Sequence, residues 1–415
     1  MTELPNRKNP FEALQIVEFR YLIGGRFLFI MGLRMLSTLN GWWIYLLTND
    51  PFAIGLIGLA EIIPALSLAL YAGHKIDQSE KRRLLLRCLL FYFTAVLVLV
   101  FISGEYDSYA FSDHTLSYMI YGVIFCTGII RAFAGPVFSA MLGYIVPHDK
   151  LQNATTWNQG TFLSASVTGH ATGGVLIALI GISGTLETIS VLILLSFLFL
   201  YRLRPKAPSF HKGEIKTWES VKEGLRFVYR TKQLLGAFTL DLFAVLFGGA
   251  VALIPVYARD ILKVGSEGFG LLNGATDMGA ILMVILLTLY PPRRKQGRKL
   301  LIAVAGFGVC IIVFGLSNIF VLSFLALMIS GMLDGVSVVI RGTITQLMTP
   351  DHMRGRVMSV NSMFVNSSNE LGQFESGVTA KLMGTVPAVL FGGCMTIAIA
   401  AGCWFKAPAL KKMEY

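Results

Sequence analysis

Two glutamates, Glu370 and Glu375, occur in the segment NSSNELGQFESG of a chain in which only 14% of the residues are charged. If this segment is helical, Asn366, Asn369 and Gln373 recur at spacings of three and four residues and form one polar stripe beside Glu370. Glu375 lies about 140° further round the helix than Glu370, so the two acids cannot both point into one narrow track. We expect Glu370 to be a ligand or proton site and Glu375 the weaker candidate, with structural pairing as the alternative for both.

Further charged residues lie within apolar stretches close to the ~20 residues that a helix needs to cross a bilayer. They are Arg26, Arg34, Glu61, Arg131, Asp241, Asp277, Asp334 and Arg341. When positions are counted from the predicted helix starts, five charged residues fall near the middle of the bilayer: Arg34, Glu61, Asp277, Asp334 and Glu370. By the same count, three others lie closer to the cytoplasm: Arg26, Arg131 and Asp241. Burying a charge in a membrane is costly, so such residues usually face a cavity or pair with one another.

These charges allow two interpretations. In the first they neutralise one another, Arg34 with Glu61 or Asp334 with Arg341, and hold one conformation. In the second, a carboxylate alternates between a proton and a cationic partner as the protein changes shape. Arg131 stays protonated, so it can only release a carboxylate when that carboxylate takes up a proton. We expect its partner to be Glu61, Asp334 or another acid in the second half of the chain.

The composition identifies the class of protein. Hydrophobic residues make up 54% of the chain and the mean hydropathy is +0.66, values that no ordinary water-soluble domain of this length shows. We therefore predict an all-α integral membrane protein. The net charge of +11 is attributed to loops that face an anionic membrane surface, not to nucleic-acid binding. The five cysteines lie in apolar runs without CxxC spacing, which favours packing over metal binding.

Twelve spans with both termini in the cytoplasm give the best distribution of basic residues. Two polar helices, beginning near Asn153 and Val357, must both cross the membrane to keep PPRRKQGRK and KAPALKKMEY on the cytoplasmic side. Of the 35 Lys and Arg residues, all but seven then lie on that side. Four are in spans, and three are outside, namely Arg259, Lys263 and Lys381.

The sequence also repeats itself. A shift of 215 residues places AIGLIGLAEIIPAL on GFGLLNGATDMGAI and aligns Gly55 with Gly270. A shift of 203 residues then places VPHDKLQNATTWN on TPDHMRGRVMSVN, so the two polar helices are equivalents. The chain divides into two pseudo-symmetric six-helix halves, 1–201 and 234–415, joined by a cytoplasmic linker at 202–233. Parallel repeats of this kind are typical of transporters whose substrate path lies between the halves. Within the linker, ESVKEGLRFVYR has the apolar spacing of a helix that lies on the membrane surface.

One loop resembles a motif of the major facilitator superfamily. The segment YAGHKIDQSEKRRLLL follows the second span and contains Gly73, Asp77, Lys81 and Arg82. It is similar to the superfamily's loop between spans two and three, where the glycine allows a tight turn and the aspartate pairs with basic groups and a helix N-terminus. The resemblance implies a gating loop, which we expect to latch the cytoplasmic face when the other face is open.

Two further motifs extend this resemblance. RAFAG, which contains Arg131, is similar to the superfamily's buried-arginine motif, and GHATGG resembles the glycine-rich antiporter motif of exporters, with His170 where those proteins usually carry proline. Longer segments such as DLFAVLFGGAVALIPVYARDIL look like the enterobactin-exporter branch of the drug and siderophore exporters, across essentially the whole chain. The resemblance implies proton-coupled export from the cytoplasm. His170 is a candidate for that coupling, with ordinary hydrogen bonding as the alternative.

The sequence therefore predicts a major facilitator carrier in the bacterial inner membrane that exports a small siderophore or drug-like molecule by alternating access and proton antiport. We expect a monomer among membrane lipids, without cofactor, metal or nucleic acid. No catalytic triad, phosphate-cradling loop or metal-ligand cluster stands out, so we do not expect an enzyme. The alternatives are an importer or lipid transporter of the same fold, and a membrane sensor that transports nothing. Bulky side chains that could touch an amphipathic substrate, or only pack, are Trp42, Trp43, Trp157 and Met363.

Overall fold

The structure is a computed structural model that describes residues 10–107, 111–205, 217–290, 295–350 and 353–414, without the side chains of a few of them such as Asp77. Every regular element in these ranges is helical. Apolar side chains dominate, and in lipid each backbone group must find its hydrogen bond within its own segment, which favours long helices.

Five long helices form the first part of the chain. They are α1 (Val17–Thr48), α2 (Pro51–Gln78), α3 (Lys81–Asp107), α4 (Asp113–Ile145) and α5 (Leu151–Tyr201). The side chain of Asp50 caps α2 by accepting a hydrogen bond of 3.0 Å from the backbone N–H of Phe52. Within α5, Gly181 has φ 72° and is not helical, so α5 consists of two helical segments that meet at this glycine.

Nine helices follow in the second part. They are α6 (Thr217–Arg230), α7 (Lys232–Phe247), α8 (Ile254–Val256), α9 (Gly265–Leu289), α10 (Gln296–Leu316), α11 (Phe320–Met348), α12 (Arg354–Met383), α13 (Thr385–Lys406) and α14 (Pro408–Lys411). The stretch from α7 to α9 passes through a 3₁₀ turn at Gly249–Leu253 and a π turn at Tyr257–Ile261. It bends where α12 passes closely, since a Cβ at Gly249 would lie 2.5 Å from the carbonyl oxygen of Gly372.

Ten helical runs among the described residues are long and apolar enough to cross a membrane. One run contains all of α5, although Gly181 divides that helix. The 30-residue helix α12 is outside the ten, because its polar stripe lowers its hydropathy. Dividing α5 and adding α12 would give the twelve spans that the sequence predicts, a count that stays a prediction.

Two glycine crossings hold the earlier helices against the later ones. At the first, α2 meets α12, and a Cβ added to Gly377 would lie 2.8 Å from the Cα of Gly55. At the second, α5 meets α9, and a Cβ added to Gly174 would lie 2.7 Å from the Cα of Gly270. The shift of 215 residues aligns Gly55 with Gly270, and the shift of 203 residues aligns Gly174 with Gly377. The two crossings are therefore one contact repeated by the internal symmetry of the sequence.

Polar contacts join the same two groups of helices at one end of the bundle, which we call the closed end. Its members are Tyr45, Asn49, Asp50, Arg259, Asp260 and Lys381. The Nζ of Lys381 lies 3.0 Å from Oδ2 of Asp50, and Nη1 of Arg259 donates to Oδ1 of Asn49 at 3.1 Å. Tyr45 donates a hydrogen bond to Asp260. In the topology predicted from the basic residues, this end faces the outside.

The amphipathic helix expected in the linker is α6, and part of it packs against protein. A Cβ at Gly224 would lie 2.9 Å from the carbonyl oxygen of Arg356, and Nη1 of Arg356 is 2.6 Å from Oε2 of Glu223. Val228 is buried, whereas Leu225 is exposed. The helix thus contacts α12 on one side and leaves Leu225 available to a membrane surface.

Candidate functional site

Two adjoining cavities lie between the earlier and the later helices. The first has a volume of about 550 Å³ and the second about 360 Å³. Residues common to both walls include Arg34, Arg131, Phe162, Asn366, Glu370 and Gln373. Volumes in this range are typical of sites for small organic ligands.

Arg131 of α4 forms the central ion-pair group of these walls. Its Nη1 lies 2.9 Å from Oε1 of Glu370 on α12 and also donates to Oε1 of Glu61 on α2. The close passage of α2 and α12 positions both acids, since a Cβ at Gly58 would lie 2.5 Å from the carbonyl oxygen of Glu370. One guanidinium therefore connects a carboxylate of the first half of the chain with a carboxylate of the second.

The polar stripe of α12 lies on the cavity wall. Asn366, Asn369, Glu370 and Gln373 all line the first cavity, and Nε2 of Gln373 donates to Oε2 of Glu370 at 3.0 Å. Glu375 takes a different direction, and its Oε1 accepts a hydrogen bond of 2.7 Å from Thr379 of the same helix. The two acids are thus placed as their spacing implies, with Glu370 in the cavity wall and Glu375 held by its own helix.

A second polar cluster links α1, α5 and α9 at the wall of the first cavity. The Nδ1 of His170 is 2.8 Å from Oγ1 of Thr38, and its Nε2 is 3.8 Å from Oδ2 of Asp277. Ser166 donates a hydrogen bond to the same carboxylate. Asp334 lines this cavity as well. His170 therefore has one hydrogen-bond partner, Thr38, as the ordinary interpretation expects, and it also lies beside the Asp277 carboxylate that faces the cavity.

The acid that pairs with Arg341 is Asp241. Both side chains are almost completely buried, at 7% and 6% exposure, and they contact each other between α11 and α7. The first interpretation of the charges, mutual neutralisation, offered Asp334 as a partner of Arg341, but seven residues on one helix place the two about two turns apart, too far for direct contact.

The pairing of Arg34 with Glu61 that the first interpretation offered is also absent from the described residues, because Glu61 forms its ion pair with Arg131. This contact brings the guanidinium of Arg131 to the carboxylates of Glu61 and Glu370. Arg26 lies in the second cavity with Arg34.

Comparison with known proteins decides the family. A family profile described as transmembrane secretion effector matches residues 8–415, almost the entire chain. The chain belongs to this family of major facilitator transporters. Its members and structural neighbours are membrane transporters, not enzymes, and they act on small-molecule substrates.

Individual relatives of this transporter are distant in sequence. The MFS-type transporter YfmI of Bacillus subtilis (strain 168) is 24% identical over 61% of the chain and 64% of its own length. The enterobactin exporter EntS of Shigella dysenteriae serotype 1 is 26% identical over 51% of each protein. The chain thus spans between half and two thirds of these two relatives. The staphyloferrin A transporter of Staphylococcus aureus (strain NCTC 8325 / PS 47) is 22% identical over 95% of the chain and 98% of its own length.

A solved structure supports the same fold. The nucleoside transporter NupG superposes with a TM-score of 0.76 over 95% of this chain and 99% of its own, at 12% identity. The fold is therefore that of a major facilitator transporter, a multi-pass membrane protein.

The loop predicted to act in gating differs from the expected tight turn. The helix α2 continues through Gly73 and Asp77 to Gln78, so Gly73 is helical, and the side chain of Asp77 lies outside the described part. At the start of α3 the first-turn N–H groups of Arg82 and Arg83 donate to the Glu80 carboxylate at 2.9 and 3.0 Å. Glu80 thus supplies the acid that the helix N-terminus favours.

The two basic residues of that loop contact their own part of the transporter. The Nζ of Lys81 is buried and donates to the carbonyl oxygen of Ile76 at 2.6 Å. The Nη2 of Arg82 donates to the carbonyl oxygen of Tyr201 at 2.6 Å. These bonds attach α3 to the ends of α2 and α5.

Sequence reasoning missed the closed end. The contacts between the two groups of helices made by Tyr45, Asn49, Asp50 and Asp260 were not expected. The shift of 215 residues that aligns Gly55 with Gly270 also relates Tyr45 to Asp260. That offset was the available signal. Among the bulky residues considered as ligand contacts, Trp42 and Trp43 are buried in the core, which favours the packing interpretation for both.

Proposed function

We propose that the protein exports a small siderophore or drug-like organic molecule from the bacterial cytoplasm, driven by proton entry. The moving units are the two halves, 1–201 and 234–415, connected by the linker at 202–233. The protein is placed in the inner membrane as a monomer surrounded by lipid, with both termini in the cytoplasm. The names of the relatives, an enterobactin exporter and a staphyloferrin A transporter, support a siderophore.

The observation that carries this proposal is the position of Arg131 between Glu61 and Glu370. Two of these groups belong to the first half and one to the second, and all three face the second cavity. A guanidinium keeps its charge, so only the carboxylates can exchange protons. When Glu370 takes up a proton it loses its charge-assisted bond, and α12 is released from α4 while Glu61 still holds Arg131.

Antiport follows if proton and substrate compete for this group. A proton on Glu370 removes a negative charge from the cavity wall, and a bound substrate whose O–H or N–H groups donate to the ionised Glu370 carboxylate opposes its protonation. The protein then carries either the proton or the substrate as the halves rock. The free-energy cost of burying the carboxylates of Glu61 and Glu370 is offset by Arg131, by the amide of Gln373 and by water in the cavity.

In the predicted topology the structure corresponds to a form closed on the outside. The glycine crossings and the closed end lie on that side, whereas the contacts of Lys81 and Arg82 stay within the first half. We propose that these two residues and Asp77 form the cytoplasmic latch in the opposite form. Asp77→Asn is expected to slow transport without abolishing expression.

The direct test uses inverted membrane vesicles with an acidic interior. A panel of siderophores, lipophilic cations and antibiotics is offered outside, and accumulation of at least one of them should depend on the pH gradient and disappear with a protonophore. Uptake seen only in right-side-out vesicles would favour an importer or lipid transporter of the same fold. No uptake in either orientation would favour the membrane sensor, although the polar cavities shared by both halves argue for a carrier.

A further inference from the structure

The second cavity has more positive than negative charge. Its wall contains three arginines, Arg26, Arg34 and Arg131, and two carboxylates, Glu61 and Glu370. Both carboxylates contact Arg131. Among the described residues neither Arg26 nor Arg34 forms a direct ion pair, although the charge of Arg34 also acts on the carboxylates of Asp277 and Glu370.

Arg34 lines both cavities, whereas Arg26 lines only the second. The guanidinium of Arg34 lies 5.5 Å from the centre of the Phe162 ring. No described residue accepts a hydrogen bond from it. A guanidinium has five N–H donors, and a position inside a membrane without any acceptor is costly unless water or a ligand supplies one.

Arg26 lies about two turns before Arg34 on α1. Its Nη1 donates to Oδ1 of Asn158 at 2.7 Å, and its guanidinium lies 5.6 Å from the centre of the Phe138 ring. The Nε of Arg26 is buried and has no partner among the described residues. The amide and the ring hold this guanidinium in place and leave its charge uncompensated.

Aromatic side chains complete the same cavity. Phe29, Tyr92, Phe138 and Phe162 line it together with the arginines. Two further acids, Asp277 and Asp334, face the first cavity but not the second. A ligand with an acidic oxygen group and a flat apolar body fits this division, because the acid can meet the guanidinium groups while the body contacts the rings.

We propose that Arg34 and Arg26 bind an acidic oxygen group, a carboxylate or phenolate, of an aromatic or amphipathic organic anion in the second cavity. This inference rests on the proposed function, since it assigns the chemical class of the exported molecule. Arg34 makes the main contact with the acidic group of the ligand. Arg26, about two turns away on α1, adds a second positive charge that attracts the anion.

The test measures binding to the purified full-length protein in lipid nanodiscs by calorimetry. The probes are 1-naphthoate, its neutral isostere 1-naphthamide and the cation 1-naphthylmethylammonium. Naphthoate should bind to the wild-type protein roughly tenfold more tightly than naphthamide, as expected for charge-assisted hydrogen bonds. R34Q should abolish that preference, and R34K should keep part of it. The matched control is R87Q, which removes an exposed arginine of α3 that lines neither cavity.

Three results would overturn the proposal. They are naphthamide or the cation binding as tightly as naphthoate, no measurable binding of naphthoate, and equal preference for the acid in R34Q and R87Q. R34Q breaks no direct ion pair or hydrogen bond of the described residues, so the variant is expected to fold, which its thermal unfolding checks. If R34Q nevertheless fails to fold, R26Q is subjected to the same comparison, with a partial loss of preference expected and an unchanged preference counting against the site.

The vesicle assay separates this inference from the proposed function. Export of neutral or cationic compounds without binding of naphthoate would remove the anion site and leave export standing. Binding of naphthoate that depends on Arg34, without transport in either vesicle orientation, would remove export and leave the site.

Discussion

The α5–α9 crossing allows a test of alternating access by one methyl group. Gly174→Ala places a Cβ 2.4 Å from the carbonyl oxygen of Ser266 and 2.8 Å from the backbone nitrogen of Gly270. Both neighbours are backbone atoms of α9 and cannot move aside by a rotamer change. The substitution is therefore expected to push α5 and α9 apart and to destabilise the form in which they touch.

The size of this effect follows from overpacking. Inserting a methyl group into a filled contact typically costs about 1–3 kcal/mol. The cost applies only to the form with the crossing closed, while the helix preference for alanine over glycine acts equally in both forms. Since ~1.4 kcal/mol changes an equilibrium tenfold, the ratio of the separated to the closed form should rise by about 5- to 150-fold.

The assay is a distance measurement between spin labels at His114 and Asn318 in a cysteine-free background. Both positions are exposed, one at the start of α4 and one between α10 and α11, on opposite halves at the closed end. Gly174→Ala should shift the distribution toward longer distances. Gly160→Ala is the matched control, because it lies on the same helix and its Cβ would meet nothing within 4 Å.

Identical distributions in the wild type, Gly174→Ala and Gly160→Ala would refute the reasoning. Such a result would mean that the α5–α9 contact is the same in every populated form. A shift of equal size in both variants would show that the effect does not come from the crossing.

Two further predictions concern ion pairs in different surroundings. Asp241→Asn leaves Arg341 buried without its partner, so the free energy of unfolding, measured by thermal unfolding in detergent, should fall by about 3–5 kcal/mol. Replacing both Asp241 and Arg341 by leucine should recover most of this loss. Equal stability of Asp241→Asn and the double leucine variant would contradict this. Lys381→Gln breaks a pair with Asp50 that is 54% and 34% exposed, so it should favour opening of the closed end by at most ~1 kcal/mol. Salt near 1 M should remove the difference between this variant and the wild type, and a larger or salt-independent effect would argue against a simple surface pair.

Hydropathy and charge predict most of the fold because lipid restricts the choice of structure. Long helices and the approximate span number follow from apolar runs and from the positions of basic residues. The break at Gly181 was harder to place, since one glycine among apolar residues does not indicate its φ angle. The bends between α7 and α9 arise where α12 passes beside Gly249, a contact between helices that hydropathy does not indicate.

The candidate site was predicted in part. Helical spacing placed Glu370 on the polar stripe and separated it from Glu375, and this needs only the geometry of one helix. Choosing a partner for Arg131 or Arg341 needed the packing of several helices: the candidates named for Arg131 included the observed Glu61, whereas Asp241 was not named for Arg341. The repeat contained more information than was drawn from it, because its two shifts relate both glycine crossings.

Proton coupling through Glu370 is the central claim, and one measurement tests it most directly. The protein is reconstituted in vesicles, and substrate efflux and substrate-induced proton release are recorded together for the wild type, Glu370→Gln and Glu375→Gln. The account predicts that Glu370→Gln loses proton release and gradient-driven efflux, because the amide cannot exchange a proton with the cavity. Glu375→Gln should keep both, since that side chain is bound to Thr379 of its own helix. Wild-type proton release per transported molecule in Glu370→Gln would contradict the account.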